Sequence, residues 1–253
     1  MKKVAVIVDS SIDLSKQEAE ALGFHYVPLE IVVDSNQVYR DSVDIDKAQL
    51  LKLLATNASI KTMQSNVGTM QEMVENLLST YDFVLVIPIA SSLSAQDLTE
   101  LIKNGGTLKQ AESYTAARQT KRMAILRTVD IDRLAKGGRI SLIKGMLAKL
   151  LKINILISFR GALAFVDKAK DKKQSISKMR QHLYSDLKIN NSKQVRRACF
   201  LEYFDNEHQQ EREEIFGLIQ NEFNDLKFER TVIPNILACH LGRNSFSIYL
   251  ELY

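Results

Sequence analysis

The stretch Ile89-Ala90-Ser91-Ser92-Leu93-Ser94-Ala95-Gln96 is a serine-rich junction between a predicted strand and a predicted helix. It follows an apolar run, Phe83 to Ile87, that predicts a buried strand, and it leads into a predicted helix at Asp97-Leu98-Thr99-Glu100. In an open α/β sheet, ligands bind at the carboxyl ends of the strands. Free N–H groups at the start of the helix, with serine hydroxyls beside them, suit an anionic group. The alternative interpretation is a serine-rich turn that only caps the helix.

The composition is that of a folded protein with one large domain or two small ones. The chain has 253 residues, of which 45% are hydrophobic and 25% are charged, with a net charge of +4. The charge is spread along the sequence, and the one local excess, Lys168 to Lys173, is interrupted by Asp171. We therefore expect neither a nucleic-acid partner nor a membrane partner.

The cysteines and the first residues bear on the compartment. Cys199 and Cys239 each lie in an apolar run, without the spacing of a metal site, so we expect buried free thiols and a reducing environment. The apolar run after Met1 ends at Asp9, which predicts a strand and not a signal peptide. No stretch approaches the roughly 18 apolar residues of a membrane span. We expect a cytoplasmic protein without stable membrane insertion, metal or cofactor.

The first part of the chain alternates strand and helix patterns, which predicts an α/β sheet. Asp46 is expected to cap a helix, and Thr56 to Asn66 reads as a polar link. The predicted strands are Val4–Val8, Phe24–Val33, Phe83–Ile87 and Arg122–Arg127. The predicted helices are Leu14–Leu22, Asp46–Ala55, Val67–Leu78, Leu98–Lys103, Thr107–Thr120, Ile131–Ala135 and Leu142–Leu151.

The pattern changes in the last hundred residues. Strands are predicted at Ile153–Phe159 and Ala162–Val166, which form a hairpin across Arg160-Gly161, and again at Val195–Tyr203, Phe228–Ile233 and Phe246–Leu252. Helices are predicted at Ser175–Leu187 and Asn206–Phe223. The fold class is α/β, with an N-terminal, mostly parallel sheet flanked by helices over residues 1–152. A C-terminal α+β domain follows over residues 153–253.

Four short pieces of the sequence together resemble the DegV family. They are Val8-Asp9-Ser10-Ser11, Lys61-Thr62-Met63-Gln64-Ser65, Ser91-Ser92-Leu93-Ser94 and Lys136-Gly137-Gly138-Arg139-Ile140-Ser141. The resemblance covers nearly the whole chain. Members of this family are bacterial fatty-acid-binding proteins, and some serve as the acyl-carrier subunit of a fatty-acid kinase. The resemblance implies a DegV-like two-domain fold that buries a long-chain fatty acid between the domains and does not transform it.

The resemblance also implies the residues that hold the fatty acid. Thr62 and Ser94 match the positions whose hydroxyls bind the carboxylate, with Ser65, Ser91 and Ser92 as second-tier contacts. Hydroxyls suit this role because charge-assisted hydrogen bonds contribute roughly 1.5–3 kcal/mol each. The tail would contribute about 0.8 kcal/mol per buried methylene, so the tail sets affinity and the hydroxyls set orientation.

Three further residues are candidates for contact with a partner kinase or for phosphotransfer. His240 matches a family histidine near the acyl head group, and Lys170 falls where the family carries an arginine. Arg139, with Lys136 and the glycine pair, offers cations and exposed amides to a phosphate. The alternatives are a structural histidine, a solvated helix start around Lys170, and a helix-stopping turn at Gly137-Gly138.

The sequence departs from the family pattern after the serine stretch. It lacks about thirty residues there, the length of one helix and one strand with their connections. One alternative is therefore a shortened paralogue that has lost the lipid and acts as an interaction or regulatory protein. A second alternative is a small phosphotransferase or hydrolase that uses the Asp9-Ser10 turn and the Gly137-Gly138 loop, although Asp9-Ser10-Ser11 is expected to be a helix-capping turn.

Overall fold

The computed structural model describes residues 3–12, 14–87, 95–137, 153–160 and 162–253. These residues form the α/β fold that the sequence predicts. Their strands are arranged in three sheets. The strands are β1 (Val4–Asp9), β2 (His25–Val27), β3 (Glu30–Val33), β4 (Gln37–Arg40), β5 (Ile60–Met63), β6 (Phe83–Ile87), β7 (Arg122–Thr128), β8 (Asn154–Phe159), β9 (Leu163–Ala169), β10 (Val195–Tyr203), β11 (Glu229–Val232) and β12 (Ser245–Leu252). The α-helices are α1 (Lys16–Ala21), α2 (Lys47–Leu54), α3 (Val67–Leu78), α4 (Ala95–Lys103), α5 (Leu108–Thr120), α6 (Ile131–Lys136), α7 (Lys172–Asp186), α8 (Gln209–Glu222) and α9 (Asn235–Leu241).

The first sheet is parallel and has the strand order β2-β1-β6. Strands β1 and β6 are rich in valine and isoleucine, and one face of the sheet packs against α1, α4 and α5. Side-chain caps begin these helices. Ser15 and Glu18 form a capping box on α1, and Thr107 and Gln110 form another on α5. This sheet places the carboxyl ends of β1 and β6 on one side, where the serine-rich stretch follows β6.

The largest sheet has six strands in the order β11-β10-β12-β7-β8-β9. Helices α7 and α8 pack on it, around a core that includes Phe200, Phe223 and Phe246. Strand β7 belongs to this sheet and pairs with β12 and β8, although it lies before residue 152. The division of the chain at residue 152 stays a prediction, and sheet membership does not change at that residue.

The third sheet is small and antiparallel, with the order β4-β3-β5. Helix α2 packs on it and begins at the predicted cap, because the Asp46 carboxylate accepts a hydrogen bond from the Gln49 amide at 2.8 Å. Its core combines distant parts of the chain. Ile31 and Ile60 share one cluster with Leu126, Ile236 and Leu241. Helix α9 therefore connects this sheet to the C-terminal part of the chain.

The structure differs from the sequence predictions in three places near this small sheet. The predicted single strand from Phe24 to Val33 is two strands in different sheets, because Pro28 between them has no N–H to donate. The predicted polar link from Thr56 to Asn66 contains β5, and residues 235–241 form the unpredicted α9. The predicted helix at residues 142–151 and the turn at Gly161 lie outside the described residues.

No helix among the residues that the structure describes is both long enough and apolar enough to cross a bilayer.

Candidate ligand-binding site

The central feature of the candidate site is a hydrogen bond between Thr62 on β5 and His240 on α9. The Thr62 hydroxyl oxygen lies 2.9 Å from Nε2 of the imidazole. His240 is buried and Thr62 is half-buried, so this pair lies at the boundary between the core and more accessible surface. The two residues are 178 positions apart in sequence. The structure therefore brings together two of the residues that the sequence singled out.

Thr62 is positioned by β5 and by the segment that precedes it. On β5, Ile60 and Thr62 share the inward face, while Lys61 and Met63 are exposed. The incoming loop is fixed by a buried arginine of α6: the Arg133 guanidinium donates to the carbonyls of Leu54, Thr56 and Ala58 at 3.2, 3.1 and 2.9 Å. A single side chain thus satisfies three loop carbonyls and sets where β5 begins.

His240 is positioned by contacts at both ends of α9. At its first residue, Asn235 donates to the buried Asp41 carboxylate at 2.9 Å and accepts from the Tyr203 hydroxyl at 2.7 Å. At its last residue, the Leu241 carbonyl accepts from the Thr128 hydroxyl at 2.5 Å. Pro234 supplies no side-chain cap to α9, so these tertiary contacts are what hold the two ends of the helix in place.

Gly137, the first glycine of the Lys136-Gly137-Gly138 motif, packs directly against His240. A Cβ at position 137 would lie 2.4 Å from the Nδ1 atom of the imidazole, which is closer than real Cβ contacts. The glycine is needed for this close approach and not for its backbone conformation, because its φ is −77°. The motif therefore contributes to the shape of the pocket around His240, and Gly137 also ends α6, in line with the helix-stopping interpretation of the glycine pair.

Asp41 is a fully buried acid beside this site. Burial raises the pKa of its carboxyl group, and hydrogen bonds from Ser10, Asn235 and Ser42 offset part of that effect. Burial also raises the pKa of the neighbouring Tyr26 to about 12. The group around the first residue of α9 is therefore a buried polar network that fixes the helix.

The Asp9-Ser10-Ser11 turn has a structural role. Asp9 accepts hydrogen bonds from the amide of Ser11, at 2.9 Å, and from the Ser11 hydroxyl. The Ser10 hydroxyl accepts from the amide of Leu29 at 3.2 Å. These contacts cap the short 3₁₀ helix after β1 and tie it to the segment before β3. They are the contacts of a turn and not of an activated nucleophile.

The other predicted site residues differ in where the structure places them. Ser65 is buried, and its hydroxyl donates to the Pro28 carbonyl at 2.7 Å. Lys170 is exposed between β9 and α7, and its amide donates to the Gln174 side chain at 2.8 Å. Their roles toward a ligand or partner stay predictions. The remaining predicted residues lie outside the described ranges: Ser91, Ser92, Ser94 and Arg139.

Two residues of the site were missed by reasoning from the sequence. Asp41 follows Arg40 and precedes Ser42, a polar context that suggests an exposed turn and gives no sign of full burial. Asn235 follows Pro234 in a helix of only seven residues, which has no periodic pattern to detect. The one signal in the sequence that pointed to this part of the site was Gly137. A glycine pair beside cationic residues indicates a place where another group approaches the backbone closely.

A separate cavity of about 510 Å³ lies at the amino ends of β1 and β6. Its lining includes Val4, Phe83, Ile102, the Gly105-Gly106 turn and Leu108. Val4 and Phe83 are the first residues of their strands, so this cavity is at the opposite end of the parallel sheet from the carboxyl ends of β1 and β6. It is not part of the Thr62–His240 site.

The fold and the site define an α/β protein in which a threonine and a histidine from opposite ends of the chain meet at an apolar core. The chain belongs to the DegV family, whose family model matches residues 3–97 and 95–252. The two matched segments overlap at residues 95–97, directly after the serine-rich stretch.

Curated relatives carry the same domain. The DegV domain-containing protein TTE1491 of Caldanaerobacter subterraneus subsp. tengcongensis is 25% identical over 285 residues, and the alignment covers 99% of both chains. This aligned length exceeds the 253 residues of the present chain, so the alignment opens gaps in it. A DegV domain-containing protein of Mycoplasmopsis pulmonis is 26% identical over 189 residues, covering 62% of this chain and 65% of the relative.

Solved structures share the fold over the full chain. A DegV family protein from Thermus thermophilus, described by its fatty acid binding, has a TM-score of 0.82 at 16% identity and covers 99% of this chain and 100% of its own. DegV from Bacillus subtilis, a fatty acid binding protein, has a TM-score of 0.80 at 20% identity and full coverage of both chains. A stearic acid-binding protein from Eubacterium ventriosum has a TM-score of 0.80 at 18% identity, covering 100% and 98%.

Proposed function

We propose that this protein binds a long-chain fatty acid without transforming it, and that Thr62 and Ser94 bind the carboxylate. The observation that carries the proposal is the 2.9 Å hydrogen bond between Thr62 and the buried His240. Support also comes from solved structures of the same fold whose descriptions name fatty acids, such as stearic acid and heptadecanoic acid.

The hydrogen bond between Thr62 and His240 orients the hydroxyl proton of Thr62. When the imidazole carries its proton on Nε2, it donates to the Thr62 oxygen, and the Thr62 hydroxyl proton is then free to point at an anion. A hydroxyl donor to a carboxylate makes a charge-assisted hydrogen bond worth roughly 1.5–3 kcal/mol. His240 therefore orients the donor, and Ser94 supplies the second one. Ser65, Ser91 and Ser92 are the second-tier contacts of this proposal.

The tail of the fatty acid supplies most of the affinity in this proposal. Each methylene removed from water contributes about 0.8 kcal/mol, so a tail of sixteen or so carbons outweighs two hydrogen bonds several-fold. The apolar cluster on which β5 and α9 pack also has partly buried members, such as Leu29 and Leu163, and these are the type of surface that such a tail contacts. The head-group hydroxyls then set which end of the lipid faces the domain boundary.

The chemistry of the proposal is that of a carrier without a cofactor. Any phosphorylation of the acyl carboxyl would be performed by a partner kinase to which this protein presents the lipid. The exposed Lys170 and the cation of Arg139 are the candidate contacts for that partner, with His240 next to the head group. A kinase that recognises these residues is a proposal from family resemblance, and Lys170 has the accessibility that such a contact needs.

The experiment that tests lipid binding is native mass spectrometry of freshly purified protein, followed by solvent extraction of the bound material. We expect one fatty acid per chain. The variant with Thr62→Val and Ser94→Ala should lose the lipid while its circular dichroism spectrum keeps the secondary structure of the wild type. Thr69→Val, at an exposed threonine of α3, is the matched control and should retain the lipid.

Unchanged lipid retention in the double variant would remove Thr62 and Ser94 as head-group ligands. A second function is favoured by one observation, the division of the family match into two segments that overlap at residues 95–97. A chain shortened there would be an interaction or regulatory protein if it no longer closed around a lipid. An unliganded mass that persists after incubation with common fatty acids would select this second function.

A further inference from the structure

Arg127 on β7 is a buried cation that has no ion-pair partner in the part of the chain that the structure describes. The residue is 6% exposed. Its Nε atom donates to the Asn154 side-chain oxygen at 2.6 Å, and its Nη1 atom donates to the Asn244 carbonyl at 3.1 Å. A guanidinium has five N–H donors, so these two hydrogen bonds leave three donors, including both on Nη2. Buried charges in proteins are normally paired, so this cation lacks the partner that its burial calls for.

The other charges of the chain neutralise Arg127 only in part. Burial lowers the pKa of its guanidinium to about 10, and the negative charge of Glu211 opposes that shift. The Glu211 carboxylate is itself ion-paired with Lys172 at 3.2 Å. By contrast, the similarly buried Arg133 lies 4.0 Å from Asp130 and donates to three carbonyls. Arg127 therefore differs from a buried arginine whose donors are used within the fold.

The sequence limits what the residues outside the described ranges could add. Residues 88–94 and 138–152 contain no Asp or Glu. Asp13 is the one acid outside the described ranges. Ile12, directly before it, packs on the core of the first sheet, whereas Arg127 lies in the six-stranded sheet. The buried charge is therefore left for a ligand to neutralise.

Arg127 lies at the end of the six-stranded sheet where two helices begin. Asn154, which accepts from Arg127, also donates to the carbonyl of Ala169 at 3.1 Å, and Ala169 ends β9 shortly before α7. The ion pair between Lys172 and Glu211 joins the first turns of α7 and α8. These helices have 15 and 14 residues, and the first-turn amides of such helices favour an anion. A buried guanidinium, a lysine and two helix starts are thus collected at one end of this sheet.

We propose that Arg127 and the first turns of α7 and α8 form a binding site for a small oxyanion of the phosphate class. The N–H groups on Nη2 have no acceptor among the described residues, and the planar guanidinium is well suited to donate to phosphate oxygens. Asn244, whose carbonyl accepts from Nη1, has a buried side-chain oxygen without a hydrogen-bond partner in the described ranges. Its amide can present either its oxygen or its NH₂ group to a ligand. An exposure of only 6% restricts the ligand to inorganic phosphate or the phosphate of a small ester.

This site is separate from the candidate lipid site. Successive side chains of a strand point to opposite faces of the sheet, and Leu126, which precedes Arg127, packs in the cluster that includes α9. Arg127 lies on the other face, where its guanidinium is 5.4 Å from the ring centroid of Phe246, a residue of the core under α7 and α8. Helix α9 carries His240, so the six-stranded sheet lies between the two sites.

The test is isothermal titration calorimetry of the full-length protein with sodium phosphate, after purification in phosphate-free buffer and at an ionic strength fixed with sodium chloride. We expect one phosphate per chain. Arg127→Met, which replaces the guanidinium by an apolar side chain, should raise the dissociation constant by at least about tenfold, as expected for the loss of hydrogen bonds to a charged group. The matched control is Arg212→Met on α8, which removes the same charge. The Arg212 guanidinium is ion-paired with Glu213 at 3.2 Å, so phosphate affinity should not change.

A second variant tests the same site by strengthening it. Glu211→Gln removes the negative charge that acts on Arg127 and releases Lys172 from its ion pair with that residue. We expect this variant to bind phosphate more tightly than the wild type. Methyl phosphate, titrated in the same way, shows whether an ester or the free anion is preferred, and either preference supports the site when Arg127→Met weakens the binding.

A wild type that binds neither phosphate nor methyl phosphate would overturn the proposal. So would binding that Arg127→Met leaves unchanged. If Arg127→Met does not fold, as judged by circular dichroism, Glu211→Gln decides the question. Phosphate affinity in Glu211→Gln that is equal to or weaker than that of the wild type would then refute the site.

The oxyanion site and the lipid site are tested separately. Arg127 and Thr62 lie on different sheets, and phosphate binding is expected in the Thr62→Val, Ser94→Ala variant as well. A failure of lipid retention therefore leaves the oxyanion proposal intact, and a wild type without affinity for phosphate leaves the lipid proposal intact.

Discussion

Gly137 shows how one residue couples a sequence motif to the candidate site. Its position against His240 leaves no room for a methyl group, although its backbone angles are ordinary. The motif that resembles a phosphate loop therefore has a steric reason for its first glycine. This packing contact does not test whether the cations and amides of the motif bind a phosphate.

We predict that Gly137→Ala displaces the imidazole of His240 and breaks its hydrogen bond to Thr62. The expected loss in the free energy of unfolding is about 1–3 kcal/mol, the usual cost of overpacking, together with faster loss of bound lipid. The control is Gly217→Ala on α8, where a Cβ meets nothing within 4 Å. That change should stabilise the protein by about 0.5–1 kcal/mol, because alanine is the better helix former. Urea unfolding of both variants measures this, and equal effects would contradict the steric role of Gly137.

Asp41 predicts a pH dependence with an unusual sign. Its folded pKa is raised by burial above the ordinary value of 3.8. Above the unfolded pKa of Asp41, its carboxyl group is ionised in the unfolded state. In the folded state the group must either keep its proton or be buried as a charge, and both lower the free energy of unfolding relative to its value at lower pH. We expect the stability of Asp41→Asn, relative to wild type, to rise as the pH increases above the unfolded pKa of 3.8.

Asp44 is the control for this measurement because its linkage has the opposite sign. Hydrogen bonds from Arg40 lower the pKa of Asp44 to about 2. Its stabilising contribution is therefore present above the unfolded pKa of 3.8 and is lost as the pH falls through about 2. Asp44→Asn should be less stable than wild type at neutral pH, and this difference should disappear in strong acid. Urea titrations over a pH series test both variants, and parallel curves for Asp41→Asn and wild type would refute a raised pKa at Asp41.

At the scale of elements, one network of ion pairs and hydrogen bonds connects α4 to the six-stranded sheet. Asp97, in the first turn of α4, accepts from the Tyr114 hydroxyl at 2.6 Å and from both terminal nitrogens of Arg196 on β10 at 3.1 and 3.2 Å. The buried Glu251 carboxylate of β12 forms ion pairs with Arg118 at 3.3 Å and with Arg196 at 3.7 Å. Because α4 begins at Ala95, this network restrains the residue next to Ser94.

We predict a measurable coupling between Asp97 and Arg196. A double-mutant cycle with Asp97→Asn and Arg196→Met should give about 0.5–1 kcal/mol in the free energy of unfolding, since the pair is bidentate and part of a network. The neighbouring pair Arg197 and Glu229 is more exposed and isolated, and its cycle should give less than about 0.5 kcal/mol. Lipid dissociation should be faster in Arg196→Met than in Arg197→Met. Equal lipid dissociation in the two variants would show that the network does not influence the serine stretch.

The elements differ in how well the sequence predicts them. Helix α3 is predicted at its observed bounds because its apolar pattern runs over twelve residues. Helices α2 and α5 are predicted within one residue at either end because Asp46 and Thr107 cap their first turns. Strand β5 has four residues in a polar context, and α9 has seven residues without a side-chain cap. Such short elements are stabilised by tertiary contacts and carry too little local pattern to detect. These two elements are the ones that carry Thr62 and His240.

At the scale of the whole molecule, the candidate site depends on contacts between distant parts of the chain. The cluster around α9 combines residues from β3, α2, β5 and β7. No local pattern predicts that Thr62 meets His240, and only the family resemblance selected both residues. The buried Asp41–Asn235–Tyr203 network was missed for the same reason, since its members are polar residues separated by 32 and 194 positions.

The sequence separation of Thr62 and His240 has a consequence for the order of events during synthesis. The ribosome must add 178 residues after Thr62 before it reaches His240. At 5–20 residues per second this takes roughly ten to thirty-five seconds. Throughout this interval β5 exists without the helix that completes its pocket. In the proposed function, a lipid would therefore be loaded only after α9 has been synthesised, and any factor that contacts the nascent chain before then meets an incomplete core beside β5.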